Sequence, residues 1–280
     1  MAPAAPHSLG LARLLSLATA SSAFRLPSSS RTIGAALQTA TSAFASGGVP
    51  EPALSAEHLL ARCAGLGTSR AALSIHGEEE LDAESRAAFE RMCARRLARE
   101  PVQYILGDWD FMDLTLEVRP PVLIPRPETE GLVELVAQAH GDAAAFLDVG
   151  CGTGAIGLAL LSRLPAARCV GIDVSASAAA LAARNAELCG LDDRYSAAAV
   201  DGGVAAWRPS DQRFDVVVSN PPYIPRADYE QLEPEVAGHE DERALCGGDD
   251  GLDVVREVLL AAPRLLRQGG PRAVWLEVDP

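Results

Sequence analysis

The chain has 280 residues, length for about two domains, and 48% of them are hydrophobic. Its formal net charge is −14, from 24 arginines, no lysine and 38 acids; beyond the first fifty residues 21 arginines face all 38 acids, a balance of −17. That argues against gripping a phosphate backbone by bulk charge. The six scattered cysteines (Cys63, Cys93, Cys151, Cys169, Cys189 and Cys246) form no Cys-x-x-Cys pair and no zinc-spaced Cys/His cluster, so they read as reduced thiols in a non-secreted protein. No apolar run approaches the roughly 20 residues of a membrane-spanning helix.

Residues 1–50 are rich in Ala, Ser and Leu, carry Arg13, Arg25 and Arg31 with no acid, and place Leu11, Leu14, Leu15 and Ala18 at helical spacing. This composition predicts a mitochondrial transit peptide, with a secretory signal as its rival and a disordered tail as the bland reading. From about Ser55 to Glu100 the pattern is helical. Ser55 is placed to cap a helix carrying Leu59, Leu60 and Cys63, and Asp82 one carrying Phe89, Met92, Cys93 and Leu97. A small helical domain over 51–101 follows, whose charged face (Glu84, Arg86, Glu90, Arg91, Arg95, Arg99) is first a solvated surface and second a substrate-docking one. Residues 102–122 read as a hairpin linker around Gly107 and Asp113. In Pro125-Arg126-Pro127-Glu128-Thr129-Glu130 two prolines hold an extended stretch, Thr129 or Glu128 opens a helix, and Arg126 is either a carboxylate clamp or a surface arginine.

Residues 123–280 form the second body. Strand patterns at Ala145–Val149, Cys169–Ile172, Tyr195–Val200, Phe214–Ser219 and Ala273–Val278 alternate with helical ones at Ala155–Leu164, Ala176–Cys189 and Leu252–Leu266. Such alternation predicts an α/β fold, a doubly wound parallel sheet. The first strand ends in Gly150-Cys151-Gly152-Thr153-Gly154 and runs into an apolar helix, which brings backbone N–H groups close to a ligand at a helix N-terminus. Asp173, about twenty residues on at the end of the second strand, suits a ribose diol. Because Gly152–Gly157 also satisfies G-x-G-x-x-G, a nicotinamide or flavin enzyme stays open on these residues alone. Asn220-Pro221-Pro222-Tyr223, at the carboxyl end of the fourth strand, favours another chemistry. One amide carbonyl and donor-free prolines make a cage of acceptors that suits a planar NH2 group, which methyl transfer to nitrogen can use and hydride transfer cannot.

With those motifs in place, the chain resembles the HemK/PrmC family of class I, S-adenosylmethionine-dependent methyltransferases, which modify the glutamine of the Gly-Gly-Gln motif in peptide chain release factors. The resemblance runs through Leu123–Glu130, Leu147–Gly157, Gly171-Ile172-Asp173, Val218–Ile224 and Ala244–Asp253. It implies that Gly150, Cys151, Gly152, Thr153 and Gly154 line S-adenosylmethionine, that Asp173 holds its ribose, and that Asn220 with Pro221 grips the substrate amide, Tyr223 packing on the amide plane. At the adenine the family carries an acid followed by a bulky aromatic; here Asp201 is followed by Gly202, with Trp207 further on. With the leader, the resemblance implies a monomeric mitochondrial matrix enzyme whose partners are release factors, without direct nucleic-acid or membrane binding. Glu233, Glu235, Glu240, Asp241 and Glu242 are expected either to face an arginine-rich partner or to form a solvated loop. The Asn-Pro-Pro-Tyr element is shared with DNA adenine methyltransferases, so a DNA or RNA adenine amino methyltransferase is the nearest rival. The family also continues past a fifth strand with a helix and two more strands. The chain ending at Pro280 is therefore expected to lack the last strands of a Rossmann-like sheet, to expose an edge, and to be a truncated, less stable form that is weak or silent in catalysis.

Overall fold

The computed structural model describes residues 24–67, 70–209, 213–269 and 272–278, in two units, Met1–Ile105 and Leu106–Pro280.

The first unit is helical: α1 (Ile33–Ser46), α2 (Pro52–Cys63), α3 (Arg70–Ile75), α4 (Ala83–Leu97) and α5 (Val102–Leu106), whose last residue opens the second unit. In α1 the residues Ile33, Ala36, Ala40 and Phe44 recur on one face and are all buried. The leader expected over 1–50 is thus corrected. Residues 1–23, with the Leu11–Ala18 pattern, lie outside the described residues, but 24–50 belong to the folded unit. The physical reason is that an acid-free, Ala-rich amphipathic helix looks the same whether its apolar stripe meets a receptor or a domain core.

Two further expectations are corrected here. Ser55 is not a cap: Pro52 takes the first position of α2, where its missing N–H costs nothing, and Ser55 lies inside the helix, buried and accepting from Arg96 Nε at 3.2 Å. Asp82 does cap α4, accepting from the N–H groups of Glu84 and Ser85, both at 2.9 Å. The charged face of α4 is only partly solvated. Glu90 is buried and accepts from Leu26 N (3.0 Å) and Arg25 Nη1 (2.7 Å), while Arg86 donates to the carbonyls of Ser30 and Leu26. Burial pushes the Glu90 carboxyl up, but Arg25, the Leu26 N–H and Arg86 outweigh it and hold the group below its usual range.

The second unit opens with an antiparallel hairpin, β1 (Asp108–Phe111) and β2 (Leu114–Glu117), that buries Phe111 and Leu116. After α6 (Pro127–Ala139) come β3 (Ala145–Val149), α7 (Ala155–Arg163), β4 (Arg168–Asp173), α8 (Ala176–Leu188), β5 (Tyr195–Ala199), α9 (Gly203–Ala206) and β6 (Val216–Ser219). Three short helices follow, α10 (Arg226–Tyr229), α11 (Pro234–Ala237) and α12 (Glu242–Leu245), then α13 (Asp253–Leu265) and β7 (Ala273–Leu276). The helix expected to open at Thr129 or Glu128 starts at Pro127, for the same reason as α2.

The sheet is parallel throughout, in the order β5-β4-β3-β6-β7. Its strands alternate between two cores. Phe146, Val216 and Val218 face Leu132, Val136 and Leu158 of α6 and α7, whereas Leu147, Val149 and Val217 face Val204 of α9 and Val258 and Leu265 of α13. This is the doubly wound arrangement the strand and helix alternation predicts. Strand order reverses between β3 and β6, so their carboxyl ends flank the crevice in which open α/β sheets hold ligands.

Candidate active site

At the carboxyl ends of β3 and β4 the second unit encloses a cavity of about 120 Å³. Its lining includes Gly150, Gly152 and Asp173, Gly203 and Val204, Asn220 and Pro222, and Pro121–Leu123 from the stretch before α6. Gly150 and Gly152 have φ of 71° and 56°, and a Cβ built on either would meet no protein atom within 4 Å. The space such a Cβ would fill is therefore open to a ligand that lies against the bare backbone.

Asp173 fastens this loop. Its Oδ2 accepts from Gly152 N (2.9 Å) and its Oδ1 from Ser175 N (2.8 Å). Burial raises its pKa above the usual carboxylate value, opposed by those two N–H groups. Each oxygen keeps a lone pair for a diol. Beneath the loop Asp148 is wholly buried, with Oδ2 accepting from Gly157 N at 3.1 Å and Oδ1 without a partner among the described residues. Desolvation pushes its pKa up to about 7, against the Gly157 N–H and with help from the charge of Asp173. Burial likewise drives the Cys151 and Cys169 thiols well above their ordinary value, which suits inert packing rather than chemistry.

Asn185 is a site-supporting residue that sequence reasoning missed. Fully buried in α8, it accepts from Glu117 N (2.8 Å) and donates to the carbonyls of Glu117 (3.0 Å) and Thr153 (2.9 Å), tying hairpin, glycine loop and helix together. An asparagine in mid-helix, where its propensity is poor, was the available signal.

Asn220 follows β6 directly. Its Nδ2 donates to Thr129 Oγ1 (3.1 Å) and Glu277 Oε1 (2.9 Å), which leaves its carbonyl oxygen as the atom free for the cavity it lines. The loop is braced from behind. Ile224 N donates to Leu245 O (3.0 Å) and Gly247 N to Ile224 O (2.9 Å), and a Cβ at Gly247 or Gly251 would strike the carbonyls of Pro222 or Tyr223. The Gly-Gly-Asp-Asp-Gly stretch is glycine-rich because backbone lies on backbone there.

The remaining candidates divide. Pro222 lines the cavity, Pro221 is buried beside it, and Tyr223 is half-buried. Cys151 and Thr153 are buried under the loop, and Gly154 caps α7 against Ala182 rather than facing the cavity. Asp201 is not brought to the lining. It is exposed in the turn after β5, because Gly202 (φ 75°) swings the chain so that Gly203 and Val204 face inward instead. Trp207 packs on Phe214 with ring centroids 5.9 Å apart.

The acidic loop is corrected as well. Glu240 is buried and takes both its oxygens to Arg126 Nη2 (2.7 and 2.8 Å), so Arg126 is a carboxylate clamp turned on its own chain. Glu235 is also buried. Burial raises the Glu240 pKa despite the arginine. Asp241 lines the cavity beside Arg243, to which it is bound at 2.6 Å, and its N–H donates to Pro121 O at 2.8 Å. Of the five acids expected to meet a partner, Glu233 and Glu242 are the exposed ones.

Residues 35–107 match the family described as the PrmC N-terminal domain, and residues 128–233 the one described as the methyltransferase small domain. The first match begins inside α1, in keeping with its place in the folded unit. The human MTRF1L release factor glutamine methyltransferase is 40% identical over 255 residues, covering 86% of this chain and 74% of the human protein. The chain belongs to the release factor glutamine methyltransferase family. The release factor glutamine methyltransferase of Geobacter sulfurreducens is 46% identical, across 83% of the chain and 78% of that protein. That of Caulobacter vibrioides is 42% identical over 83% and 79%. Family membership brings S-adenosylmethionine as methyl donor, and the open cradle at Gly150 and Gly152, closed at one end by an ionisable acceptor, fits that group.

Proposed function

We propose that this chain transfers a methyl group from S-adenosylmethionine to the side-chain amide nitrogen of the glutamine in the Gly-Gly-Gln motif of peptide chain release factors, and that it does so in mitochondria. The observation that carries the chemistry is the disposition of Asn220, which lines the cleft, spends its NH2 on Thr129 and Glu277 and keeps its carbonyl oxygen free. Bound in the cradle, the cofactor supplies an electrophilic methyl group on a sulfonium. Gly150 and Gly152 hold it by close backbone approach, and Asp173 accepts from its ribose hydroxyls.

A glutamine amide is a poor nucleophile because its nitrogen lone pair is delocalised into the carbonyl. The Asn220 side-chain oxygen and the Pro221 carbonyl accept its two N–H groups, which aims the nitrogen and lets its electron density rise off the amide plane. Tyr223 covers one side of that plane. Asn220 and Pro221 would hold the amide nitrogen toward the methyl group that the cofactor would supply, and the proton displaced from that nitrogen would leave past the cage to water. The helical first unit is the surface for docking the release factor.

The mitochondrial part of the proposal rests on residues 1–23, which contain Arg13 and no acid. Incubating the chain with S-adenosylmethionine and a release factor, then digesting it, should place one methyl group on the Gly-Gly-Gln glutamine. Methylation of an adenine oligonucleotide in place of the protein would overturn the reading, and a fusion of residues 1–23 that stays in the cytosol would overturn the location.

A further inference from the structure

Resting on the amide-cage reading of the cleft, we propose that Thr129 and Glu277 are positioning residues that hold the Asn220 amide in the one orientation able to receive an NH2 group. An asparagine amide turned by half a circle has almost the same shape but the opposite hydrogen-bonding sense. One orientation offers the cleft an acceptor, the other a donor that would repel the substrate's N–H groups. Packing alone cannot choose between them.

The choice is made behind the cage by three elements that converge there. Thr129 comes from the first turn of α6, Asn220 from the end of β6, and Glu277 from the end of β7, where its N–H donates to Ser219 O at 3.1 Å. Neither Thr129 nor Glu277 is among the residues that line the cleft; both meet Asn220 through its Nδ2. A carboxylate only accepts. The Thr129 hydroxyl accepts from the same NH2 group at 3.1 Å. A flipped Asn220 would set its oxygen against the Glu277 carboxylate, which accepts from Nδ2 at 2.9 Å, so Glu277 fixes the orientation and Thr129 adds a second acceptor to it.

The second carboxylate oxygen of Glu277 is buried with no partner among the described residues. Burial raises the Glu277 pKa, opposed by the hydrogen bond from Asn220, and in its ionised form the carboxylate draws the Asn220 N–H toward it. That polarises the amide and makes Oδ1 a stronger acceptor at the cage. Thr129 thus gives a purpose to the Pro-Arg-Pro-Glu-Thr-Glu stretch, whose Arg126 holds Glu240.

The test compares Thr129→Val, Glu277→Gln and Asn220→Ala. Glutamine at 277 keeps size but can turn its own NH2 to Asn220, making both amide orientations acceptable; valine at 129 keeps shape and removes the acceptor. Both should lower kcat on a Gly-Gly-Gln peptide about tenfold or more, the rate equivalent of one charge-assisted hydrogen bond. KM for the peptide, affinity for S-adenosylhomocysteine by calorimetry and the melting temperature should change little. In NMR spectra the Asn220 side-chain NH2 signal, assigned by its loss in Asn220→Ala, should be exchange-protected in the wild type and lose protection in Glu277→Gln. Because the two residues act through Asn220, adding either substitution to Asn220→Ala should cost nothing more.

Wild-type kcat in both variants beside an inactive Asn220→Ala would overturn this proposal and leave the cage reading standing. Full activity of Asn220→Ala would overturn the cage reading itself. Losses that add to that of Asn220→Ala, or that track cofactor affinity and melting, would show a structural role only. If Glu277→Gln does not fold, Thr129→Val decides by the same measures.

Discussion

Replacing Asp173 with asparagine separates its observed job, fastening the glycine loop, from its proposed one, holding the cofactor ribose. In the free protein its oxygens accept from Gly152 N–H at 2.9 Å and Ser175 N–H at 2.8 Å. Asparagine offers one oxygen and one NH2, so whichever way it sits, one of those backbone donors faces another donor. A buried donor left without a partner costs about 1–3 kcal/mol, and a loss of that size lowers the melting temperature of a unit this long by about 2–4 °C per kcal/mol. The ribose loses a charged acceptor, a hydrogen bond worth about 1.5–3 kcal/mol, so affinity for S-adenosylhomocysteine should fall about ten- to a hundredfold. Calorimetry across pH supplies a second readout. Burial raises the pKa of Asp173, so wild-type affinity should weaken as pH falls through that raised value, and Asp173→Asn should lack this limb. Binding within about twofold of wild type, with the same pH profile, would refute the assignment of Asp173 to the ribose.

Deleting residues 1–23 should leave the melt of the first unit unchanged, whereas deleting 1–50 should abolish it. The longer deletion removes the buried Leu26, Ile33, Phe44 and Val49, at about 1.5–3 kcal/mol each, a total on the order of a small domain's whole stability; an unchanged melt after the longer deletion would contradict the placement of α1. Asp148 has its pKa raised from 3.8 to about 7 in the folded chain, so its contribution to stability is complete below the unfolded value and lost as pH rises through 7. Stability relative to Asp148→Asn, measured by urea unfolding, should therefore fall by about 4 kcal/mol between pH 4 and 8, and parallel pH profiles would show that Asp148 is not buried as an acid.

Legibility followed the range of the interactions. β3, α7, β4, α8 and β5 were readable to within a residue or two because each is a short apolar run or an amphipathic helix closed by its own turn residues, and Gly150 to Gly154 sits between two of them. Phe214 was read into β6 but only bridges to Leu266 before the strand begins at Val216. α10, α11 and α12 escaped because four-residue helices carry no periodicity. α1 escaped because its stripe resembles a leader's, and what identifies it as core, the grip of Glu90 and Arg86 on residues 25–30, lies about sixty residues away. The site divides in the same way. The glycine loop, Asp173 and Asn220 announce themselves locally, whereas Thr129, Glu277 and Asn185 act across 91, 57 and 68 residues of chain, distances at which spacing carries no signal.

The account stands most directly on whether Asn220 presents a glutamine amide to the methyl donor. Wild type and Asn220→Ala, each saturated with S-adenosylmethionine, should be incubated with a Gly-Gly-Gln peptide and with an adenine oligonucleotide, and the products read by mass spectrometry. The wild type should add one methyl group to the glutamine and none to the oligonucleotide, and Asn220→Ala should bind the cofactor normally while losing about 10² or more in peptide methylation rate, the size expected when a nucleophile is no longer held in place. An Asn220→Ala protein that methylates the glutamine at the wild-type rate, or a wild-type protein that methylates the adenine instead, would contradict it.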